Sequence, residues 1–116
     1  MNWRSKSNGT NRNYYESVPF RSDTDLREHF SHHVGEFPNI KTETEYLARA
    51  EAFLNGPRAS TTLECRRPQG GYARYDTVTQ EYGSVRRDGS IATYFIPDPT
   101  VHLKGSNLEY YNCKCR

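Results

Sequence analysis

The pair Gly56-Pro57 divides the chain into two parts whose apolar residues repeat with different periods. Ahead of it they recur every three to four residues, and beyond it they alternate. Glycine followed by proline ends a helix, so the change of period marks a change of secondary structure. The segment "KTETEYLARAEAFLN" places Tyr46, Leu47, Ala50, Phe53 and Leu54 on one helical face, and Thr42 with Glu45 three residues later is a capping box at its start. An earlier helix begins after Ser22, a good N-cap with Asp23 and Asp25 in the first turn, and carries Leu26, Phe30, Val34 and Phe37 at helical spacing. Past Pro57, residues 60–66, 72–76, 81–87 and 90–96 read as strands, with turns at Gln69-Gly70-Gly71 and Asp88-Gly89. Helices first and an antiparallel meander afterwards predict an α+β fold, with N-terminal helices packed on a four- to five-stranded antiparallel twisted sheet. The fourth strand is apolar on both faces and is expected to be central, with only one face fully covered by helices. Residues 100–116 are expected to add a short edge element through Val101, Leu103 and Leu108.

Residues 1–21 have no periodicity and read as a linker or flexible arm, which Trp3, Tyr14, Tyr15 and Phe20 could tack to the single domain of residues 22–116. Only 34 % of the chain is hydrophobic and nine residues are tyrosine, so aromatic rings must supply much of the core and buried hydroxyls need partners. No apolar run approaches the roughly 20 residues of a membrane span, and the polar N-terminus shows no signal-peptide pattern, so no membrane partner is expected. The net charge of +2 conceals an alternation of +3 over residues 1–21, −4 over 22–56 and +3 over 57–116. The last segment holds Arg58, Arg66, Arg67, Arg74, Arg86 and Arg87, and arginine suits phosphate, although an ordinary mixed surface has the same composition. Cys65, Cys113 and Cys115 are odd in number, which argues against a disulfide framework and favours reduced thiols in a frayed tail, as in a cytosolic environment. "CKC" with His102 is a poor metal candidate, because structural zinc wants four ligands at usual spacings.

"EHFSHHVGEF" gathers three of the four histidines. On a helical wheel with Leu26 at zero, Phe30 and Val34 lie at about 40° and about 80°, His33 at about 340°, His29 at about 300° and His32 at about 240°. His33 is therefore the histidine aimed inward, His29 sits at the rim of the apolar stripe, and His32 faces away from it. His29 and His33 have the i, i+4 spacing of two metal ligands, but the glutamate of an H-E-x-x-H motif is missing between them. In the fourth strand, Ile91, Thr93 and Phe95 share one face, and Arg74, Tyr75 and Arg86 belong to neighbouring strands. RNA cleavage without metal needs a base for the ribose 2′-hydroxyl, an acid for the departing 5′-oxygen and a cation for the phosphorane. Histidine, arginine, a threonine hydroxyl and stacking rings supply those types. Each residue also has a structural reading: a hydrogen-bonded core histidine, a threonine chosen for strand propensity, aromatic rings in the core.

The segments "HFSHHVGEF", "TETEYLARAEAFL" and "YARYDTVTQEYGSVRRDGSIATYFIPD" resemble the C-terminal toxin domains of bacterial contact-dependent inhibition and related polymorphic toxins, and more remotely the nuclease domain of colicin D. These belong to the barnase–EndoU–colicin–RelE-like group of metal-independent ribonucleases, and the similarity covers about residues 26–112. The resemblance implies a barnase- or RelE-like sheet and carries catalytic roles to His33 of "HVGEF", to Thr93, with the aromatic Phe95 two positions on, and to Tyr75 ahead of the Asp88-Gly89 turn. Relatives often place a lysine just before the histidine. Here His32 stands there, so phosphate stabilisation is expected to pass to Arg74, Arg86 or Arg87. The expected site is thus His33, Thr93, Arg74, Arg86 and Tyr75 for catalysis, and Phe95, Arg87, His32 and His29 for substrate contact, with no metal and no cofactor.

The resemblance implies an endoribonuclease toxin that cuts RNA, in particular tRNA near the anticodon, to a 2′,3′-cyclic phosphate. It implies delivery as part of a larger carrier, action in the cytoplasm of a target bacterium, and neutralisation by a cognate immunity protein. A non-catalytic RNA- or protein-binding module of the same fold and a ribosome-dependent mRNA endonuclease are the alternatives.

Overall fold

Ser22 opens the first helix as its sequence requires, with its Oγ accepting the Asp25 N–H at 3.0 Å. In the structure, a computed structural model that describes residues 19–116, helix α1 runs Asp23–His33 and passes into a single 3-10 turn, Val34–Glu36. Helix α2, Glu43–Asn55, has the full capping box: Thr42 Oγ1 accepts from the Glu45 N–H, and Glu45 Oε1 accepts from the Thr42 N–H, both at 3.1 Å. Four strands follow, β1 (Thr62–Arg66), β2 (Tyr72–Asp76), β3 (Tyr82–Val85) and β4 (Ile91–Phe95), antiparallel in the order β1-β2-β3-β4. Two helices close the chain, the short α3 (Pro99–His102) and α4 (Asn107–Cys115). The α+β layout and the meander are those expected.

Register decides what each face of the sheet presents. The row Arg74, Gly83, Tyr94 faces α1 and α2, and the rows Ala73, Ser84, Thr93 and Tyr75, Tyr82, Phe95 face the other way. On the first face Tyr46, Ala50 and Leu54 of α2 are fully buried against Tyr94, Val85 and Ile91. Gly83 allows that approach, since a Cβ there would stand 3.0 Å from the Leu54 side chain. The buried tyrosines find acceptors as they must: Tyr46 donates to the Tyr94 carbonyl, Tyr94 to Glu81, and Tyr72 to the Leu54 carbonyl at 2.8 Å. On the second face Ala73, Tyr75 and Tyr82 are covered by Tyr111 of α4.

Five expectations are corrected. Strand β4 is an edge strand, and its second apolar face is explained by what wraps its margin: α1 lies against it, and the Ile91 N–H bonds the Pro19 carbonyl at 2.9 Å while Phe20, 6 % exposed, bridges to Ile91. Residues 19–21 therefore already belong to the fold, whereas Trp3, Tyr14 and Tyr15 lie outside the described residues. The C-terminal segment is helical, not an edge strand. Val101, Leu103 and Leu108, which suggested a strand, are exposed, and the buried positions are Asn107 and Tyr111, one helical turn apart. That helix covers a face expected to be largely open. Finally, Cys65 and Cys115 form a disulfide that ties the end of α4 to β1, leaving Cys113 as the free thiol. An odd count hid the bridge because 50 residues separate its ends and only the tertiary fold brings them together.

Candidate functional site

Where α1 ends beside the free margin of β4, His33 reaches over the strand and stacks on Phe95, with ring centroids 5.0 Å apart and planes 21° apart. The 3-10 turn then brings Glu36 back under the imidazole, and His33 Nδ1 donates to Glu36 Oε2 at 2.9 Å. Glu36 is itself held, because its Oε1 accepts the Ile96 N–H at 2.9 Å. A carboxylate anchored this way fixes both the ring orientation and the tautomer of its histidine. The proton sits on Nδ1, and Nε2 is left without a hydrogen-bond partner among the described residues. His33 and Glu36 line a pocket of about 360 Å³ together with Phe95, His102 of α3 and Tyr110 of α4.

The other histidines are occupied differently. His102 has both nitrogens engaged: Nδ1 accepts the Lys104 N–H and Nε2 donates to Asn107 Oδ1, each at 3.0 Å. Asn107 continues through Gln80 Oε1 to the Tyr75 hydroxyl, so Tyr75 supports the wall from behind, its ring stacked on Tyr111. His29 packs between Phe20 and His33 and pairs with Asp25 at 3.5 Å. Burial, joined by the nearby charges of His33, Arg86 and His32, lowers the His29 pKa despite Asp25. His32 is exposed and stands edge-on to His33.

The arginines separate sharply. Arg74, expected beside Thr93, is on the opposite face of the sheet. Its guanidinium pairs with Glu64 at 2.7 Å and caps the end of α2 through the carbonyls of Phe53 and Gly56, the usual use of arginine at a helix C-terminus. Arg86 is held by the Ile91 carbonyl at 3.0 Å and by Ser90 Oγ, two neutral acceptors that leave its charge uncompensated. It lines a groove of about 670 Å³ together with Arg21, Arg67, Arg87 and Asp88. Thr93 is half-buried beside buried Ser84 on the face that α4 partly covers, and no hydrogen bond occupies its hydroxyl among the described residues.

Groove and pocket both border strand β4, at Ala92 and at Phe95. Burial raises the Tyr110 pKa, while the charge of Arg67, which lines the groove, lowers it in part. Burial likewise pushes Tyr82 up to about 12, with Arg67 opposing. Both phenols therefore stay protonated, with a guanidinium close to each. The structure thus pairs His33 with Phe95, gathers Arg86 and Arg87 in the groove, and places Arg74 and Tyr75 in supporting positions. Sequence reasoning assigned no role to Glu36, Arg67 or Tyr110. Glu36 was discoverable, three residues after His33 on a helical continuation, whereas Tyr110 and Arg67 enter only through the packing of α4 on the sheet. Among the described residues no group of three or more His, Cys, Asp or Glu side chains is gathered to hold a metal, and no helix is long and apolar enough to cross a membrane. No protein-family model and no curated protein matches this chain.

Proposed function

We propose that this chain is a metal-independent endoribonuclease domain of the polymorphic-toxin kind, with His33 as its base. The observation that carries the reading is the His33–Glu36 pair: a stacked imidazole whose Nδ1–H is spent on an anchored carboxylate, with Nε2 unspent at a pocket. Such a nitrogen is free to accept a proton from a bound hydroxyl. In the reaction we assign, Nε2 takes the ribose 2′-hydroxyl proton, the 2′-oxygen attacks phosphorus, and the bond to the 5′-oxygen breaks to leave a 2′,3′-cyclic phosphate. The departing oxygen takes its proton from the Tyr110 hydroxyl, which burial keeps protonated and the nearby Arg67 charge makes easier to ionise. Solvent then restores the phenol. Glu36 is a positioning residue, and Phe95 gives His33 a rigid platform. Thr93 offers a hydroxyl to a phosphate oxygen, and Arg86 supplies a cation at the margin of the site.

The resemblance of "HVGEF" and "YARYDTVTQEYGSVRRDGSIATYFIPD" to contact-dependent inhibition toxins supports RNA, and tRNA in particular, as substrate. It also supports delivery by a larger carrier into a target cytoplasm and an immunity protein as partner. The test is incubation of the purified chain with total tRNA in EDTA, followed by mapping of the ends. Discrete cuts bearing cyclic phosphate support the nuclease. A mobility shift without cutting supports a binding module in its place, and cutting only on programmed ribosomes supports a ribosome-dependent enzyme.

A further inference from the structure

The arginine groove, at about 670 Å³, is larger than the histidine pocket of about 360 Å³. Its shape comes from two turns that close on one another. The β1–β2 turn passes Gly70 at φ +101° beneath the side chain of Arg87, from whose Nε a Cβ at position 70 would stand only 2.8 Å. Glycine there leaves room for the stem of Arg87 to pass over the turn. Arg86 is fixed by its bonds to Ser90 and Ile91. Arg21, from the segment leading into α1, is fixed by Asp88 at 3.2 Å. Arg67 has its Nε buried and without a hydrogen-bond partner among the described residues. Four guanidiniums face one carboxylate, so three positive charges are in excess over a groove of about 670 Å³.

Three features say what such a groove is for. Guanidiniums held by neutral acceptors or packing keep their charge and forked donors for a ligand. The lining carries no large apolar side chain, Ala92 being its one apolar residue, so it lacks the buried aromatic and aliphatic anchors on which protein partners depend. It also shares strand β4 with the histidine pocket, Ala92 lining the groove and Phe95 the pocket. We infer that this groove is a phosphate-binding subsite for the backbone of a single RNA strand, seating phosphates that flank the bond presented to His33. The inference rests on the nuclease reading for the identity of the strand. It adds that Arg67 and Arg87 give the site its grip and its need for a substrate several nucleotides long. Contacts of this kind position the strand without reading its bases.

Binding without turnover tests it. A fluorescein-labelled 2′-O-methyl RNA 12-mer, which lacks the attacking hydroxyl, is titrated by anisotropy over a range of salt concentrations with the intact chain. The variants are Arg67→Gln/Arg87→Gln, Arg87→Gln alone, and the charge-matched control Arg58→Gln/Arg66→Gln outside the groove. The groove pair is expected to weaken binding roughly tenfold or more at low salt and to lower the slope of log affinity against log salt by about 1.4, with about 0.7 for the single exposed variant. The control pair leaves the slope near that of the unaltered chain. Equal losses from groove and control pairs, or no loss from the fully folded Arg87→Gln chain, overturn the subsite. So does a poly-glutamate peptide of the same length that binds as tightly as the RNA, since the groove would then be an acceptor for acidic protein. Cleavage of unmodified RNA is followed in parallel. Cutting by the unaltered chain with groove-independent binding removes the subsite and leaves the nuclease. Groove-dependent binding with no cutting removes the nuclease and leaves a phosphate-binding groove.

Discussion

The two faces of the sheet spend their polar groups in opposite ways. Toward α2, the partners are all internal. Tyr46 and Tyr72 donate to main-chain carbonyls, Tyr94 donates to Glu81, Arg49 pairs with Glu81 at 3.0 Å, and Arg74 closes the end of the helix. Toward the margin of β4 and the start of α4, the same residue types are left with capacity in hand: His33 at Nε2, Arg87 and Thr93. A buried polar group without a partner costs stability. A fold that satisfies most polar groups of one face and leaves groups open on the other separates the part that holds the molecule together from the part that can act on something else.

The separation is broken most forcefully from the α2 side. Tyr46→Ala removes a fully buried ring and its bond to Tyr94, and is expected to cost about 3–5 kcal/mol in denaturant unfolding. No group of the histidine pocket is touched directly, so cleavage per folded molecule should survive. The Cys65→Ser/Cys115→Ser chain tests whether α4 is stapled or merely packed. Releasing a bridge that spans 50 residues is expected to cost up to about 4 kcal/mol on the chain-entropy view, visible as a lower midpoint in urea. A midpoint unchanged by opening the bridge would mean that Tyr111 and Asn107 alone hold the helix.

Asp76 sharpens the comparison through pH. Burial would raise its pKa, but the N–H groups of Thr79 and Val78 and the hydroxyls of Thr62 and Thr61 outweigh burial and hold it at about 2. A carboxylate depressed in the folded state stabilises fully above its unfolded value and loses that contribution as pH falls through its folded value. About 2 kcal/mol should therefore disappear between about pH 4 and pH 2. Asp76→Asn should be less stable at neutral pH and should flatten that part of the stability curve. The smallest structural effect is expected at Thr93→Val. With no bond to lose among the described residues, stability should change by less than about 0.5 kcal/mol, while RNA cleavage falls. A large loss of stability would place Thr93 with the structural half of the molecule.

What could be read from the sequence follows from the range of the forces involved. Caps act over three residues, so Ser22, Thr42 and Glu45 marked both long helices correctly. Alternation marked all four strands to within two residues at each end. The helical wheel, a local device, distinguished half-buried His33 from exposed His32. Features set by distant segments were illegible: the edge position of β4, the bridge from Cys65 to Cys115, and the end of α2 that claims Arg74. The C-terminal helix was missed for a different reason. Its buried residues include Asn107, while the apolar Val101, Leu103 and Leu108 face solvent, so hydrophobicity pointed to the wrong positions. The groove combines arginines from three separate stretches of chain, and composition showed the excess charge without its location.

The division of labour between the two faces is tested most directly at His33, by measuring cleavage of a single unmodified RNA by His33→Ala beside the unaltered chain, with a thermal melt of each. The ring is part-exposed and its lost partners are Glu36 and Phe95. The expected result is a fall in cleavage of about 10²- to 10⁴-fold, the usual contribution of a general base, with a melt displaced by only a few degrees. A folded His33→Ala chain that cuts RNA as fast as the original would contradict it.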